Sequence, residues 1–290
     1  MIKYRVKQTL LTISLCLISL TSVRAAEAPK VVVSIAPLHS LVASVMGGVG
    51  QPSLLMPVGA SPHDYAMKPS DARKLHRAEL VFWIGPNLEG FMQGMISNLA
   101  PRTTPIALEE AAAPANHNHD HAGSHPWLDP LWAIEASGRI GAVISKRYPS
   151  HAGRIEQNVM RLKERLKALD TKLSSQLADV QDVPYLVYHD AYESFERRYH
   201  LNHQGAVALH AERQPGPRHL AKLKQKIAQE GIVCLFSEPQ MNSSLINILT
   251  EGSAVKTTRL DPMGSQLEPG KDLYADLLTQ LATNMKQCLK

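Results

Sequence analysis

The chain has 290 residues, a formal net charge of +5 and only 5% aromatic residues. Four of its cations (Lys3, Arg5, Lys7 and Arg24) lie in the first 25 residues, and without that stretch 265 residues carry a net charge of +1. No basic run with interleaved aromatics remains, which removes nucleic acid as a partner, and the length suits one large or two modest domains.

Residues 1–25 read as a secretory signal peptide. A positive start precedes an apolar core at residues 9–20, and small residues around Ala25 suit cleavage there. The core is too short to span a membrane. Cys16 sits inside it behind the bulky Leu15, so it does not read as a lipid-anchor cysteine.

Residues 26–149 form a first α/β half. The unbroken β-branched run at 30–35 predicts a strand buried on both faces. A helix over 39–46 stops at Gly47-Gly48, strands follow at 52–56 and 80–84, and Ser70 caps a helix reaching Ala78. Residues 150–178 predict one long helix. Ile155, Val159, Leu162, Leu166, Leu169, Leu173 and Leu177 recur at helical spacing, with charges opposite. At ~1.5 Å per residue it would run roughly 43 Å, long enough to strut two lobes.

Residues 179–290 repeat the rhythm. Strands are expected at 185–188, 206–209, 231–236 and 254–259, and helices at 192–199, 218–229, 243–250 and 273–289. Alternating strands and helices imply parallel sheets. Cys234 falls on a strand and Cys288 in the last helix, and an oxidising compartment allows them to pair.

Four patterns carry the chemistry. They are Ser-Pro-His-Asp-Tyr around His63, Ser-His-Pro-Trp-Leu-Asp-Pro around His125, Tyr-His-Asp-Ala-Tyr around His189, and Leu-Asp-Pro-Met-Gly around Asp261. Three imidazoles and one carboxylate suit a tetrahedral zinc ion held by protein ligands alone. His189 and Asp261 fall where open α/β sheets bind ligands, outside the carboxyl ends of strands. A loop at 116–125 is His-rich, and His117, His119 and His121 read as accessory metal ligands. His76, His151, His200, His203 and His219 read as solvated, whereas His39 and His210 can line a cleft. Trp127 and Tyr65 read as packing that positions the imidazoles.

With these motifs the sequence resembles the zinc-binding subunits of bacterial high-affinity zinc importers, solute-binding proteins that feed an ABC transporter. The resemblance rests on residues 62–71, 124–130, 188–195, 237–240 and 260–264, the His-rich loop, the long helix and the Cys234/Cys288 pair. It implies two lobes, each with a four-stranded parallel sheet flanked by helices, joined by a rigid backbone helix. It further implies Zn2+ in the cleft between them, bound by His63, His125, His189 and Asp261. Manganese-binding relatives carry glutamate where His189 stands. Pro62 replaces an acidic residue that some zinc-binding members have before the first histidine.

The expected protein is therefore a monomeric periplasmic zinc carrier serving an inner-membrane permease, and not an enzyme. A carrier of manganese or another divalent metal is the alternative, and a zinc-dependent hydrolase a more distant one. No HExxH-type pattern is present.

Overall fold

The computed structural model describes residues 28–109, 125–208, 215–239 and 243–290. The expected signal peptide, His117, His119, His121 and His210 lie outside the described residues. Val31, Val32 and Val33 form β1 (Val31–Val33), fully buried as a β-branched run predicts. It lies between β2 (Ser53–Leu54) and β3 (Leu80–Trp83), and β4 (Thr104–Ala107) completes a parallel sheet of order β2-β1-β3-β4.

The second sheet repeats that order. β5 (Tyr185–His189) lies between β6 (His203–Ala208) and β7 (Cys234–Ser237), with β8 (Lys256–Arg259) outside β7. Both sheets are wholly parallel. The expectation of two four-stranded lobes is therefore met.

Helices cover the sheets. In chain order they are α1 (Ala36–Val45), α2 (Pro69–Arg77), α3 (Gly90–Ile96), α4 (Pro130–Arg147), α5 (Ala152–Leu177), α6 (Glu193–Tyr199), α7 (Pro217–Gln229), α8 (Ser243–Thr250) and α9 (Leu273–Leu289). α1 begins ahead of the expected start, because Pro37 fits a first turn at no cost in hydrogen bonds. The elements β4, α3 and α4 had no counterpart in the sequence reading.

The predicted strut is α5. Six of its seven periodic apolar side chains are buried, and Val159 is half-buried against them. Its one buried polar side chain, Asn158, donates to the carbonyls of Val45 (2.8 Å) and Gly47 (2.9 Å). Those carbonyls end α1, where helical partners run out, so the strut caps a helix of the first lobe.

One apolar core runs from β1 through α1, α4 and α5 into β5, β7 and α9. Polar ties cross the lobes as well. The Tyr274 hydroxyl donates to the Trp127 carbonyl at 2.7 Å, and Tyr274 N–H donates to Ser40 Oγ at 3.0 Å. A disulfide between Cys234 on β7 and Cys288 on α9 fixes the last helix to the second sheet, as the cysteine pairing predicts. No helix among the described residues is long and apolar enough to cross a membrane.

Candidate metal centre

Three of the four predicted ligands converge at the carboxyl ends of the two sheets. One ring nitrogen from each of His63, His125 and His189 lies within 4.8 Å of the others. Each histidine reaches that point differently.

His63 is half-buried in the loop between β2 and α2. Its backbone N–H donates to Ser61 Oγ at 3.3 Å. Two residues on, Tyr65 donates to Asp71 Oδ2 at 2.8 Å, and that same oxygen accepts from Lys68 N–H at 3.0 Å. The loop is thereby pinned to the first turn of α2, a positioning role for Tyr65 that matches its expectation.

His125 opens a 3-10 turn, Pro126–Leu128, that runs into α4. Asp129 caps α4 by accepting from Leu131 N–H at 2.8 Å. Trp127 is fully buried, its ring 5.0 Å from the His125 ring, and its indole N–H donates to the Pro262 carbonyl at 2.8 Å. One indole therefore holds a first-lobe histidine and a second-lobe turn together.

His189 ends β5, one of the two interior strands of its sheet, and is 5% exposed. Its Nδ1 lies 3.2 Å from Glu238 Oε1, just past the end of neighbouring β7. A carboxylate accepts, so this contact assigns the proton to Nδ1 and leaves Nε2 as the nitrogen able to bind metal. Sequence reading assigned Glu238 no role. The signal was available: it follows a strand at the same edge of the sheet that His189 occupies.

The electrostatics favour a cation. Burial, then the neighbouring His189 and His63 imidazoles, hold the His125 imidazole well below its ordinary pKa. At neutral pH it is an uncharged base, the form that binds metal. His63 Nε2 and His125 Nε2 stand 3.2 Å apart. Two nitrogens on a tetrahedral zinc ion at ~2.05 Å stand roughly 3.3 Å apart, so the donor spacing fits that ion.

Asp261 is placed otherwise. Its Oδ1 accepts from the N–H groups of Met263 and Gly264, both at 3.0 Å. Its Oδ2 accepts from Ser265 N–H and Ser265 Oγ–H, both at 2.6 Å. A carboxylate offers about four lone-pair sites, and all are engaged in holding this turn. Among the described residues no carboxylate joins the three-histidine group.

Other histidines fall elsewhere. His76 and His200 are exposed, as expected. His39 is buried with Nε2 3.0 Å from the Pro52 carbonyl, which ties α1 to the start of β2. His219 meets the Ala206 carbonyl at 3.1 Å, and His203 meets Glu196 Oε2 at 3.1 Å. Their charged sequence neighbours had suggested solvent, but both rings turn inward onto β6 and α6. His151 is also partly enclosed, with a buried Nε2.

Two like lobes, a strut helix and an imidazole cluster between the sheets define a metal-binding protein of the two-lobed solute-binding class. Residues 31–288 match the family described as zinc-uptake complex component A, periplasmic (ZnuA). The chain belongs to that family, whose members are non-enzymatic transport components. It is 33% identical to a high-affinity zinc uptake system protein ZnuA of Brucella abortus, over 91% of this chain and 93% of the relative. It is likewise 33% identical to the Yersinia pestis protein of that name, over 90% and 91%. Among solved structures, a ZnuA crystal structure superposes with a TM-score of 0.81 at 20% identity, covering 91% of this chain and all of the other. The periplasmic zinc-binding protein TroA of Treponema pallidum gives 0.80 at 19% identity, covering 91% and 99%. At such identities the structural matches speak for the fold alone.

Proposed function

We propose that this chain captures Zn2+ in the periplasm and delivers it to the inner-membrane permease of an ABC transporter. The observation that carries the reading is three imidazole nitrogens gathered between two lobes, at a spacing that suits tetrahedral zinc. Nitrogen donors favour zinc over manganese, which prefers oxygen. His63 and His125 bind from the first lobe and His189 from the second. Asp261 supplies the fourth bond by releasing one of its turn hydrogen bonds. His117, His119 and His121 collect zinc near the cleft, and residues 1–25 direct export.

Carrier function requires that the metal be held by protein atoms until handed over. Glu238 fixes the tautomer of His189, and the shared core keeps the lobes from swinging wide. Family membership, rather than closed coordination, supports a carrier over a zinc-dependent hydrolase.

The test is a competitive titration of chelator-stripped mature protein with zinc and with manganese. One tight zinc equivalent that excess manganese does not displace is expected. Structural zinc is worth about 10–16 kcal/mol over four ligands. His189→Ala should therefore cost roughly 3 kcal/mol, more than a hundredfold in affinity. Preference for manganese, or unchanged affinity in that variant, would overturn the assignment.

A further inference from the structure

Beyond the three-histidine centre, one more group of metal-ligating side chains stands together among the described residues. Asp190, Glu196 and His203 each offer one donor atom, all within 4.8 Å of one another. Asp190 directly follows β5, Glu196 lies within α6, and His203 begins β6. Three elements thus converge on one point.

The group is built and not merely crowded. The Glu196 side chain is 6% exposed. Its Oε1 accepts from the Tyr185 hydroxyl at 2.9 Å, and its Oε2 lies 3.1 Å from His203 Nδ1. The Tyr185 ring stacks on the imidazole at 5.8 Å between centroids and 22° between planes. Carboxylate and imidazole are therefore held from several sides. Asp190 is exposed and opens the group to solvent.

We propose that Asp190, Glu196 and His203 form a second, weaker site for a divalent first-row cation, zinc in this protein. The 3.1 Å separation of Glu196 Oε2 and His203 Nδ1 is close to the roughly 3.3 Å edge of a tetrahedral zinc shell. Two carboxylates and one imidazole leave coordination positions for water and bind zinc less selectively than three imidazoles do. Asp190 follows His189 directly in the chain, whereas His203 pairs with Tyr185 at the other end of β5. The second site does not rest on the zinc reading of His63, His125 and His189.

The experiment uses full-length mature protein carrying His117→Ser, His119→Ser and His121→Ser, which silences the His-rich loop, and His63→Ala, which cripples the main centre. Zinc alone is titrated against a chromophoric chelator. One weak equivalent is expected. Asp190→Asn and His203→Asn, each added to that background, should weaken it by about tenfold or more, the scale of losing a partner at a metal site. Asp190 is exposed, so its variant remains informative if the His203 variant folds poorly. Absence of any equivalent, or one unchanged by both substitutions, overturns the proposal and leaves a plain ion pair. The tight equivalent of the unsubstituted chain reports the main centre, so each assignment can fail by itself.

Discussion

The two lobes share one sheet order but end their strands on different chemistry. In the first lobe β1 runs into Ser34 and Ile35, both fully buried, and no ligand stands there. In the second lobe the matching strand, β5, ends on His189. Past the third strand each lobe carries a buried glutamate, Glu89 in one and Glu238 in the other. Glu238 turns to His189, whereas Glu89 Oε2 accepts from the backbone N–H groups of Ile84 (2.7 Å) and Gly85 (3.2 Å). One architecture thus serves as scaffold on one side and as support for a proposed ligand, His189, on the other. A single residue at a strand end decides which.

The sharpest way to break that comparison is to remove the first-lobe carboxyl. Burial raises the Glu89 pKa from 4.5 to about 7, opposed by its backbone hydrogen bonds. The folded state therefore holds a proton that the unfolded chain releases. This contribution is fully present below pH 4.5 and disappears as pH rises through about 7. Across that window it amounts to about 3 kcal/mol. Glu89→Gln should flatten this part of the stability curve, read from urea midpoints between pH 4.5 and 8, without altering zinc stoichiometry. An unchanged pH slope would mean that Glu89 ionises normally.

Its second-lobe counterpart should act on the metal instead. Glu238→Gln keeps the shape, but the amide no longer dictates which His189 nitrogen is protonated. Zinc affinity should fall by about 10–100-fold, the usual cost of such a partner. Equal affinity by chelator competition would reduce Glu238 to packing.

The smallest effect concerns the residues beyond the fourth strands, His125 after β4 and Asp261 after β8. Asp261→Asn replaces an oxygen that accepts twice from Ser265 with a donor, and removes a negative charge from the cleft. Because Asp261 gives up a turn hydrogen bond to reach the metal, which offsets part of the new bond, a loss of about tenfold in zinc affinity is expected, well short of the loss for His125→Ala. If Asp261→Asn matched His125→Ala, the carboxylate would be a full ligand from the outset.

Much of this was legible in the sequence. The valine run marks β1, the leucine periodicity marks α5, and the expected helices at 243–250 and 273–289 coincide with α8 and α9. Three elements did not, for identifiable reasons. β4 reads Thr-Pro-Ile-Ala, and an edge strand tolerates its proline but advertises nothing. α3, Gly90–Ile96, is a single short run with two glycines. α4 contains Gly138 and Gly141, which weaken any helical pattern. Only packing explains Gly141: a Cβ there would meet Val159 Cγ2 at 2.5 Å, where α5 crosses close.

The site was legible in its imidazoles, because three local motifs flagged them. What stayed hidden was the company they keep. Glu238 lies 49 residues from His189 and meets it only because β5 and β7 are neighbours, whereas Glu196 and His203 are close in the chain but meet only once α6 folds back onto β6. The turn that occupies Asp261 is local, and its Asp-Pro-Met-Gly-Ser pattern could have been read as a caged carboxylate as readily as a ligand.

The core that passes unbroken through both lobes has a kinetic consequence. In the proposed carrier, a cation held between halves that share α1, α5 and α9 would have no hinged door to leave by. It departs through ligand exchange, one bond at a time, each vacated position taken by water or by an incoming donor. Residence time is then set by the most easily displaced ligand, and a receiving protein speeds release by offering a competing donor at that point.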